Sequence, residues 1–344
     1  MEREVKVVIY GMGEIGKRVV RALSEKKGVK VVGAIDIAES KIGKDVGELA
    51  GLDRKLGVVV SPNVDKVLGE TKPDVVIHMT QSYFKKVFPQ LVKIVEYGAN
   101  VVSTCEELSY PYIVDENLAK KLDSLAKEHG VTILGTGINP GFLMDTLVIT
   151  LTGACVKVNK IKVTRVINAS TRREPFQRKI GAGLSVEEFN DRIKKKIISG
   201  HVGLEQSIAL IASALGWKLD KIVVEDVKPV VAEKEIKTDF LVVKPGQVAG
   251  LMQIAKGIVE GEEKITLDFR AFVGAPEEYD AIEIDGLPPI NEKIVPCVHG
   301  DWGTVAMVIN SIPKVINAPP GLKTMKDLPV PSATPVDLRV CLKS

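Results

Sequence analysis

The sequence predicts an α/β protein: a doubly wound parallel sheet plus a second α+β domain with a largely antiparallel sheet. Strand-like and helix-like segments alternate over the first 150 residues, which is typical of a parallel sheet covered by helices on both faces. After about residue 155, strands follow one another with few helices, which is typical of antiparallel pairing. A length of 344 residues also fits two domains of roughly 150 residues each.

The first domain is predicted to alternate buried strands with amphipathic helices. Short runs of β-branched residues predict strands at 5–10, 29–36, 58–60, 75–78, 101–103 and 132–135. Apolar residues with helical spacing predict helices at 14–24, 84–97 and 115–129.

The second domain is predicted to begin with a strand whose apolar and polar residues alternate. Strands are predicted at 157–168, 222–231, 236–244, 247–259, 262–273 and 281–285, and helices at 185–199, 203–215 and 302–312. We therefore expect a nucleotide-binding domain at 1–150 and a substrate and dimerisation domain at 151–300. The C-terminal helix and tail, 301–344, are expected to return to the first domain.

Composition excludes several classes of function. The net charge of +3 and the aromatic content of 5% argue against nucleic-acid binding. The four cysteines lie far apart without a CxxC pair, which predicts no metal site, no disulfide framework and a reducing compartment. Because no apolar run approaches roughly 18 residues and a strand starts close to the N-terminus, we expect a soluble cytoplasmic protein without membrane contact.

A glycine-rich loop follows the first predicted strand and opens the first helix. Its residues are Gly11, Met12, Gly13, Glu14, Ile15 and Gly16. In this pattern the first glycine allows a tight turn, the second lets the backbone approach a pyrophosphate, and the third lets helix and strand pack closely. We therefore predict a Rossmann-type NAD(P)-binding domain, although a purely structural turn uses glycines in the same way.

Asp36 lies at the end of the second predicted strand. A carboxylate there accepts hydrogen bonds from an adenosine ribose and repels a 2′-phosphate, which favours NAD. The alternative is a solvated turn acid. Ser40 and Lys41 follow closely and can hold a phosphate, so NADP remains open.

Small polar residues follow the fourth predicted strand. Thr80, Gln81 and Ser82 suit the lining of a nicotinamide ribose, because ligands of doubly wound sheets bind at the carboxyl ends of the strands. His78, at the end of the same strand, is interpreted as a core histidine with satisfied hydrogen bonds.

Two adjacent carboxylates, Glu106 and Glu107, follow the fifth strand. On an irregular segment one can face the site while the other has a structural partner. A carboxylate desolvated there has a raised pKa, as a general base requires. The alternative is a pair of acids stabilised by a helix N-terminus.

Further polar residues follow the sixth strand and lie in the second domain. Asn139, next to Pro140, offers a carboxamide near the nicotinamide, or it belongs to a turn only. Arg165 can clamp a substrate carboxylate, and His201 and His299 lie in glycine-containing loops. Each of these three is also compatible with a structural role.

These motifs together resemble the family of 2,4-diaminopentanoate dehydrogenase and the related native amine dehydrogenases. The resemblance runs through nearly the whole chain and is carried by the segments 106–111, 135–142 with 145–147, 200–203 with 205–208, 300–301 and 310–315. The N-terminal half also looks like the cofactor domain of dihydrodipicolinate reductase. The stretch 170–183, which includes Arg172 to Phe176, departs from the family pattern.

The resemblance implies reversible oxidative deamination of a small amine to a ketone, without a metal. It implies that Glu106 is the catalytic glutamate and that Asn139, Pro140, Arg165 and His201 surround the nicotinamide and substrate. Glu107, next to Glu106, is also expected to contact the substrate. An exposed edge of the second-domain sheet favours a homodimer.

Three alternatives remain open. Dihydrodipicolinate reductases carry a His-His and Lys signature that is not found here. Homoserine dehydrogenases usually carry a lysine where Glu106 stands. A non-catalytic NAD-sensing protein would bind nucleotide without turning over any amine.

Overall fold

The computed structural model describes residues 4–342. The chain divides into two compact units, of which the first joins Met1–Phe142 with His299–Ser344 and the second is Leu143–Val298. The chain therefore leaves the first unit once and returns to it at its C-terminal end.

The first segment of the first unit alternates strands with helices. The strands are β1 (Val5–Tyr10), β2 (Val29–Ile35), β3 (Val60–Ser61), β4 (Val75–His78), β5 (Asn100–Ser103) and β6 (Thr132–Gly135). The helices are α1 (Glu14–Leu23), α2 (Val46–Leu49), α3 (Val64–Thr71), α4 (Phe84–Glu96) and α5 (Glu116–Glu128). A 3₁₀ turn at Glu106–Ser109 follows β5.

The second unit begins with a short helix and contains most of the remaining strands. The helices are α6 (Thr146–Thr152), α7 (Glu174–Lys179), α8 (Val186–Lys194) and α9 (Leu204–Ala214). The strands are β7 (Lys157–Asn168), β8 (Lys221–Val224), β9 (Lys228–Val231), β10 (Ile236–Lys237), β11 (Val242–Val243), β12 (Val248–Val259), β13 (Glu262–Phe272), β14 (Tyr279–Leu287) and β15 (Ile290–Ile294).

The returning segment adds α10 (Gly300–Asn317) and β16 (Gly321–Lys323) to the first unit. The sheet of this unit has the strand order β16-β6-β5-β4-β1-β2-β3, and its neighbouring strands are parallel. Strand order reverses at β1, and crevices at such a point are where doubly wound sheets bind ligands. The centre of the sheet is apolar and buried, as the full burial of Val7, Val76 and Val101 shows.

The sheet of the second unit has the order β15-β14-β7-β13-β12-β8, and β9 also pairs with β12. Its ladders are antiparallel except for the parallel pair of β7 and β13. Helix α9 lies against this sheet, since a Cβ at Gly257 would meet the side chain of Ile208. The predicted fold class is thus confirmed in both sheets.

Several predicted boundaries were wrong for local reasons. The segment 236–244 is not one strand, because the Thr238 hydroxyl accepts hydrogen bonds from the N–H groups of Phe240 and Leu241 and turns the chain between β10 and β11. Helix α8 ends at Lys194, before Lys196, whose φ of 57° is left-handed. The segment 222–231 is two strands, and α10 continues past Pro313.

Among the described residues 4–342, no helix combines the length and the apolar character needed to cross a membrane.

Candidate active site

The glycine loop has the geometry that nucleotide binding needs. Gly11 has a φ of +104°, and a Cβ there would collide with the carbonyl of Met79, so only glycine fits. A Cβ at Gly16 would collide with the carbonyl of Gly11, which shows the close packing of α1 on the loop. Beside Gly13, at the N-cap of α1, the space is open. An open space at a helix N-terminus fits a pyrophosphate.

The carboxylate of Asp36 lies one residue beyond β2 and contacts this loop. Its Oδ2 accepts from the N–H of Met12 at 2.8 Å and pairs with Lys41 Nζ at 2.8 Å, while Oδ1 accepts from the N–H of Ala38. Burial alone would raise the pKa of Asp36, but these hydrogen bonds hold it below the usual value. The Asp36 carboxylate is therefore ionised, and the ammonium group of Lys41 lies beside it.

The residues predicted to line the nicotinamide ribose follow β4. The hydroxyl of Thr80 donates to Oε1 of Gln90 at 2.8 Å and lies 3.0 Å from Nε2 of His78. Gln81 is exposed, and the carbonyl of Ser82 accepts from the N–H of Glu107 at 3.1 Å. This segment is therefore held against the segment that follows β5.

His78 is fully buried at the end of β4. Its Nδ1 lies 2.9 Å from Oγ of Ser103, and its Nε2 lies 2.7 Å from Oε1 of Gln90. Burial lowers the pKa of His78 to about 4, although the hydrogen bond with Gln90 acts in the opposite direction. The imidazole is therefore neutral near pH 7, as expected of a core histidine with satisfied hydrogen bonds.

The two adjacent carboxylates after β5 have different surroundings. Oε2 of Glu107 accepts from the N–H of Phe84, the first residue of α4, at 2.6 Å. A carboxylate at this position is stabilised by the positive end of the helix. Glu106 begins the 3₁₀ turn and is half-buried, and its carbonyl accepts from the hydroxyl of Ser109 at 2.7 Å. Glu107 thus has the structural partner that the sequence predicted for one of the pair.

The segment after β6 is packed against the turn that bears Glu106. The N–H of Thr136 donates to the carbonyl of Ser103 at 2.8 Å, and a Cβ at Gly135 would collide with the backbone of Leu108. Asn139 follows in this segment, is half-buried, and is joined to Pro140 by a cis peptide bond. The structure therefore brings together the segments of the first unit that carry Thr80, Glu106 and Asn139.

Arg165 belongs to the second unit, and its partners are not those expected for a substrate clamp. The side chain is 2% exposed, Nη1 pairs with Oδ1 of Asp280 at 2.5 Å, and Nη2 donates to the carbonyl of Val298 at 2.6 Å. Both ends of the guanidinium fork are thus bound by protein oxygens. A substrate carboxylate would have to share the guanidinium with Asp280, and the expected bidentate substrate contact stays a prediction.

His201 is also in the second unit, in the loop before α9. Its ring stacks on Phe269 with the centroids 4.5 Å apart, and the backbone N–H of His201 donates to Oε1 of Gln253 at 2.9 Å. It borders a cavity of about 60 Å³ that is also lined by Phe176 and Ile180. The stretch 170–183, which departs from the family pattern, therefore contributes side chains to the surroundings of His201.

Metal binding has no candidate site within residues 4–342, where no group of three or more His, Cys, Asp or Glu side chains is arranged to hold an ion. Cys105, Cys155, Cys297 and Cys341 are free thiols.

Comparisons with known proteins cover both halves of the chain. Residues 142–344 match the 2,4-diaminopentanoate dehydrogenase C-terminal domain, and residues 5–133 match the N-terminus of dihydrodipicolinate reductase. A 2,4-diaminopentanoate dehydrogenase of Acetoanaerobium sticklandii is 40% identical, over 98% of this chain and 96% of its own length. The chain belongs to the 2,4-diaminopentanoate dehydrogenase family.

Two more distant relatives are named more broadly, as amine dehydrogenases. An amine dehydrogenase of Streptomyces virginiae is 24% identical over 95% of this chain and 96% of its own length. The structure of an amine dehydrogenase from Mycobacterium smegmatis superposes with a TM-score of 0.82 at 28% identity, covering 97% of this chain and 98% of that one. The family assigned from the sequence motifs is thus confirmed, and the protein is a member of a dehydrogenase family with a Rossmann-type domain.

Some residues around the 2,4-diaminopentanoate dehydrogenase motifs were missed by the sequence reasoning. Gln90, Asp280 and Gln253 hold His78, Arg165 and His201, from which they are separated by 12, 115 and 52 residues respectively. No local sequence pattern predicts these contacts, because Gln90 reaches His78 from helix α4 and the other two partners come from neighbouring or more distant strands.

Proposed function

We propose that this protein catalyses the reversible NAD(P)-dependent oxidative deamination of 2,4-diaminopentanoate to 2-amino-4-oxopentanoate, with release of ammonia. The observation that carries the choice of substrate is the 40% identity to a 2,4-diaminopentanoate dehydrogenase over 98% of the chain. The chemistry is supported by a half-buried carboxylate, Glu106, at the edge of the sheet where doubly wound domains bind ligands.

The residues of the first unit fit the cofactor. The open space beside Gly13 suits the pyrophosphate, and the Asp36 carboxylate suits the adenosine ribose. The chemistry that the nicotinamide supplies, when bound, is acceptance of a hydride from the amine-bearing carbon. We propose that Thr80, Gln81, Ser82 and Asn139 face the nicotinamide side. We expect NAD to be preferred, and we expect Lys41, which pairs with Asp36, to contact the 2′-phosphate where NADP binds.

Glu106 would accept and donate the protons that are transferred during the reaction. An ammonium group has no lone pair to assist loss of a hydride, so the substrate amine must first be neutral, and Glu106 takes that proton. Water then adds to the iminium carbon of the substrate, and the same carboxylate returns and removes protons as ammonia leaves. The balance is one protonated amine, one oxidised cofactor and one water converted to one ketone, one ammonium, one reduced cofactor and one proton.

The other predicted site residues have supporting roles in this proposal. Glu107 holds the N-terminus of α4 and so orients its neighbour Glu106. Arg165 holds Asp280 and Val298 in the second unit. His201 and Pro140 remain proposed contacts of the substrate pocket, and the cavity beside His201 is expected to take part in the choice of amine.

We also propose a homodimer in the cytoplasm. Support for the dimer comes from the edge strand β15, whose outer backbone groups are available for pairing with a second copy. Support for a reducing compartment comes from the four free thiols. Sedimentation equilibrium at working concentration tests the dimer, which a monomer would contradict.

The function is tested by following reduced cofactor at alkaline pH with 2,4-diaminopentanoate, using NAD and NADP in parallel. 2-Amino-4-hydroxypentanoate serves as a control, because it offers an alcohol in place of the amine at the carbon that is oxidised. We expect turnover with the amine only, and the reverse reaction with a ketone, ammonia and NADH. Binding of NADH without turnover in either direction would contradict the proposal.

A further inference from the structure

The buried imidazole of His78 connects two segments that carry functional residues. Its strand lies between β1 and β5, and His78 is in register with Tyr10 on one side and Ser103 on the other. On the side of β5, Nδ1 lies 2.9 Å from Oγ of Ser103. The second ring nitrogen, Nε2, lies 2.7 Å from Oε1 of Gln90, on α4, and 3.0 Å from Oγ1 of Thr80. The ring thus bridges the chain after β4 and the last residue of β5.

The acceptors of this network determine which nitrogen and oxygen atoms carry its hydrogens. The amide oxygen of Gln90 can only accept, so Nε2 of His78 carries the hydrogen and donates. A neutral imidazole then has an unprotonated Nδ1, which accepts from the hydroxyl of Ser103. That hydroxyl oxygen in turn accepts from the N–H of Cys105 at 3.1 Å. The hydrogen bonds therefore run in one direction, from Cys105 through Ser103 and His78 to Gln90.

Each end of this network leads to a residue of the proposed site. Cys105 immediately precedes Glu106 and is the N-cap of the 3₁₀ turn. At the other end, Thr80 shares the amide oxygen of Gln90 with His78, and Thr80 belongs to the segment proposed to face the nicotinamide. A satisfied buried network rigidifies the groups that it joins, whereas an apolar side chain at position 78 would fill the space without fixing either segment.

We propose that His78 is a positioning residue that holds the Thr80 segment and the Glu106 segment in a fixed relation. The inference rests on the proposed function for Glu106. It extends that function to a residue that contacts neither cofactor nor substrate. Positioning of reacting groups is worth large factors, since a displacement of about 1 Å costs on the order of 100-fold in rate.

The test uses variants that cut the network at different points. His78→Leu removes both links, Ser103→Ala removes only the link toward Glu106, and His78→Gln keeps one donor and one acceptor. The matched control is Thr132→Val, which removes another buried hydroxyl of the same sheet, from the opposite end of the strands, where it donates only weakly to Pro319 and Ala318. Turnover is expressed per NADH-binding site, so that misfolded molecules are not counted.

Two measurements are made on each variant. NADH fluorescence gives the dissociation constant without any amine, and the pH profile of kcat gives the apparent pKa of the catalytic base. We expect His78→Leu to weaken NADH binding and to lower kcat by about tenfold or more. Ser103→Ala is expected to lower kcat and move the pH profile while NADH binding stays unchanged, and His78→Gln to recover part of both losses.

The outcomes separate this proposal from the function on which it rests. The positioning role alone is overturned if the wild type turns over the amine but His78→Leu and Ser103→Ala behave like the Thr132→Val control. In that case kcat, its pH profile and the NADH affinity are all unchanged relative to the control. If the wild type turns over no amine, the proposed function fails, and unchanged NADH affinity in His78→Leu still overturns the positioning role. If His78→Leu does not fold, kcat and its pH profile in Ser103→Ala decide.

Discussion

The carboxylate of Glu107 accepts a hydrogen bond from the N–H of Phe84 at 2.6 Å and so caps the first turn of α4. Its neighbour Glu106 begins the turn that the network of Ser103 and His78 holds. Two identical side chains, adjacent in the sequence, therefore have different physical tasks. One stabilises a helix, and the other is the proposed base.

Replacing Glu107 tests the structural half of this division. Glu107→Ala is expected to lower the stability of the first unit by about 1 kcal/mol, because a helix N-terminus loses its side-chain acceptor. Turnover per NADH-binding site is expected to stay within a few-fold of the wild type. Thermal unfolding followed by the fluorescence of Trp302, in a Trp217→Phe background, checks the first unit, since the chain's two tryptophans lie in different units. Loss of turnover with unchanged stability would instead make Glu107 the catalytic carboxylate.

The buried pair of Arg165 and Asp280 predicts a stability effect in the second unit. Asp280→Ala leaves the guanidinium buried without its counter-charge, which costs about 3 to 5 kcal/mol. The double variant Arg165→Met with Asp280→Leu is expected to be less destabilised, because no unpaired charge is left. Denaturant unfolding followed by Trp217, in a Trp302→Phe background, checks both. Equal stability of Asp280→Ala and the wild type would contradict the structural role of the pair and favour Arg165 as a substrate clamp.

Cofactor choice is expected to depend on Asp36 and Lys41. Removing the charge with Asp36→Ser should raise the kcat/KM ratio of NADP over NAD by about tenfold, which is about 1.4 kcal/mol, because the 2′-phosphate is no longer repelled. Lys41→Ala should lower the same ratio. Lys44→Ala is the control, since Lys44 is exposed and lies only three residues further on. A ratio unchanged in Asp36→Ser would remove Asp36 from the ribose site.

Acid pH is expected to destabilise the first unit through His78. Burial lowers the pKa of His78 from 6.5 to about 4, so between these values the unfolded chain binds a proton that the folded chain does not. The His78 contribution to the unfolding free energy is therefore complete above pH 6.5 and falls by about 3 kcal/mol as the pH drops to 4. The difference in stability between the wild type and His78→Gln, measured across this range, isolates the effect. A difference independent of pH would contradict the neutral buried imidazole.

Much of the fold was predictable because its signals are local. The apolar runs of β1 and β4 and the spacing in α1 are explained by burial on a parallel sheet, and their bounds agree closely with prediction. The short helices α2 and α3 and the strand β15 were missed, because few residues and mixed composition give little periodicity. The break between β10 and β11 depends on hydrogen bonds of one side chain, Thr238, which hydrophobic pattern does not contain.

The candidate site was predictable to a lesser degree. Gly11 and Gly16 were predictable because only glycine satisfies the backbone geometry at these positions. The glycine-rich motif records this requirement in the sequence. The partners of Arg165 and His78 depend on which strands become neighbours, and the sequence alone does not specify them. The sequence therefore predicts a substrate clamp from a long cationic side chain, but it does not reveal that the sheet places Asp280 beside Arg165.

The central claim is that Glu106 is the base of an NAD(P)-dependent amine oxidation. It is tested most directly by comparing Glu106→Gln with Glu107→Gln and the wild type, measuring 2,4-diaminopentanoate turnover and NADH affinity on the same preparations. The account predicts that Glu106→Gln loses on the order of 100-fold or more in kcat with NADH affinity preserved, and that Glu107→Gln retains turnover. Near-normal turnover in Glu106→Gln would contradict it.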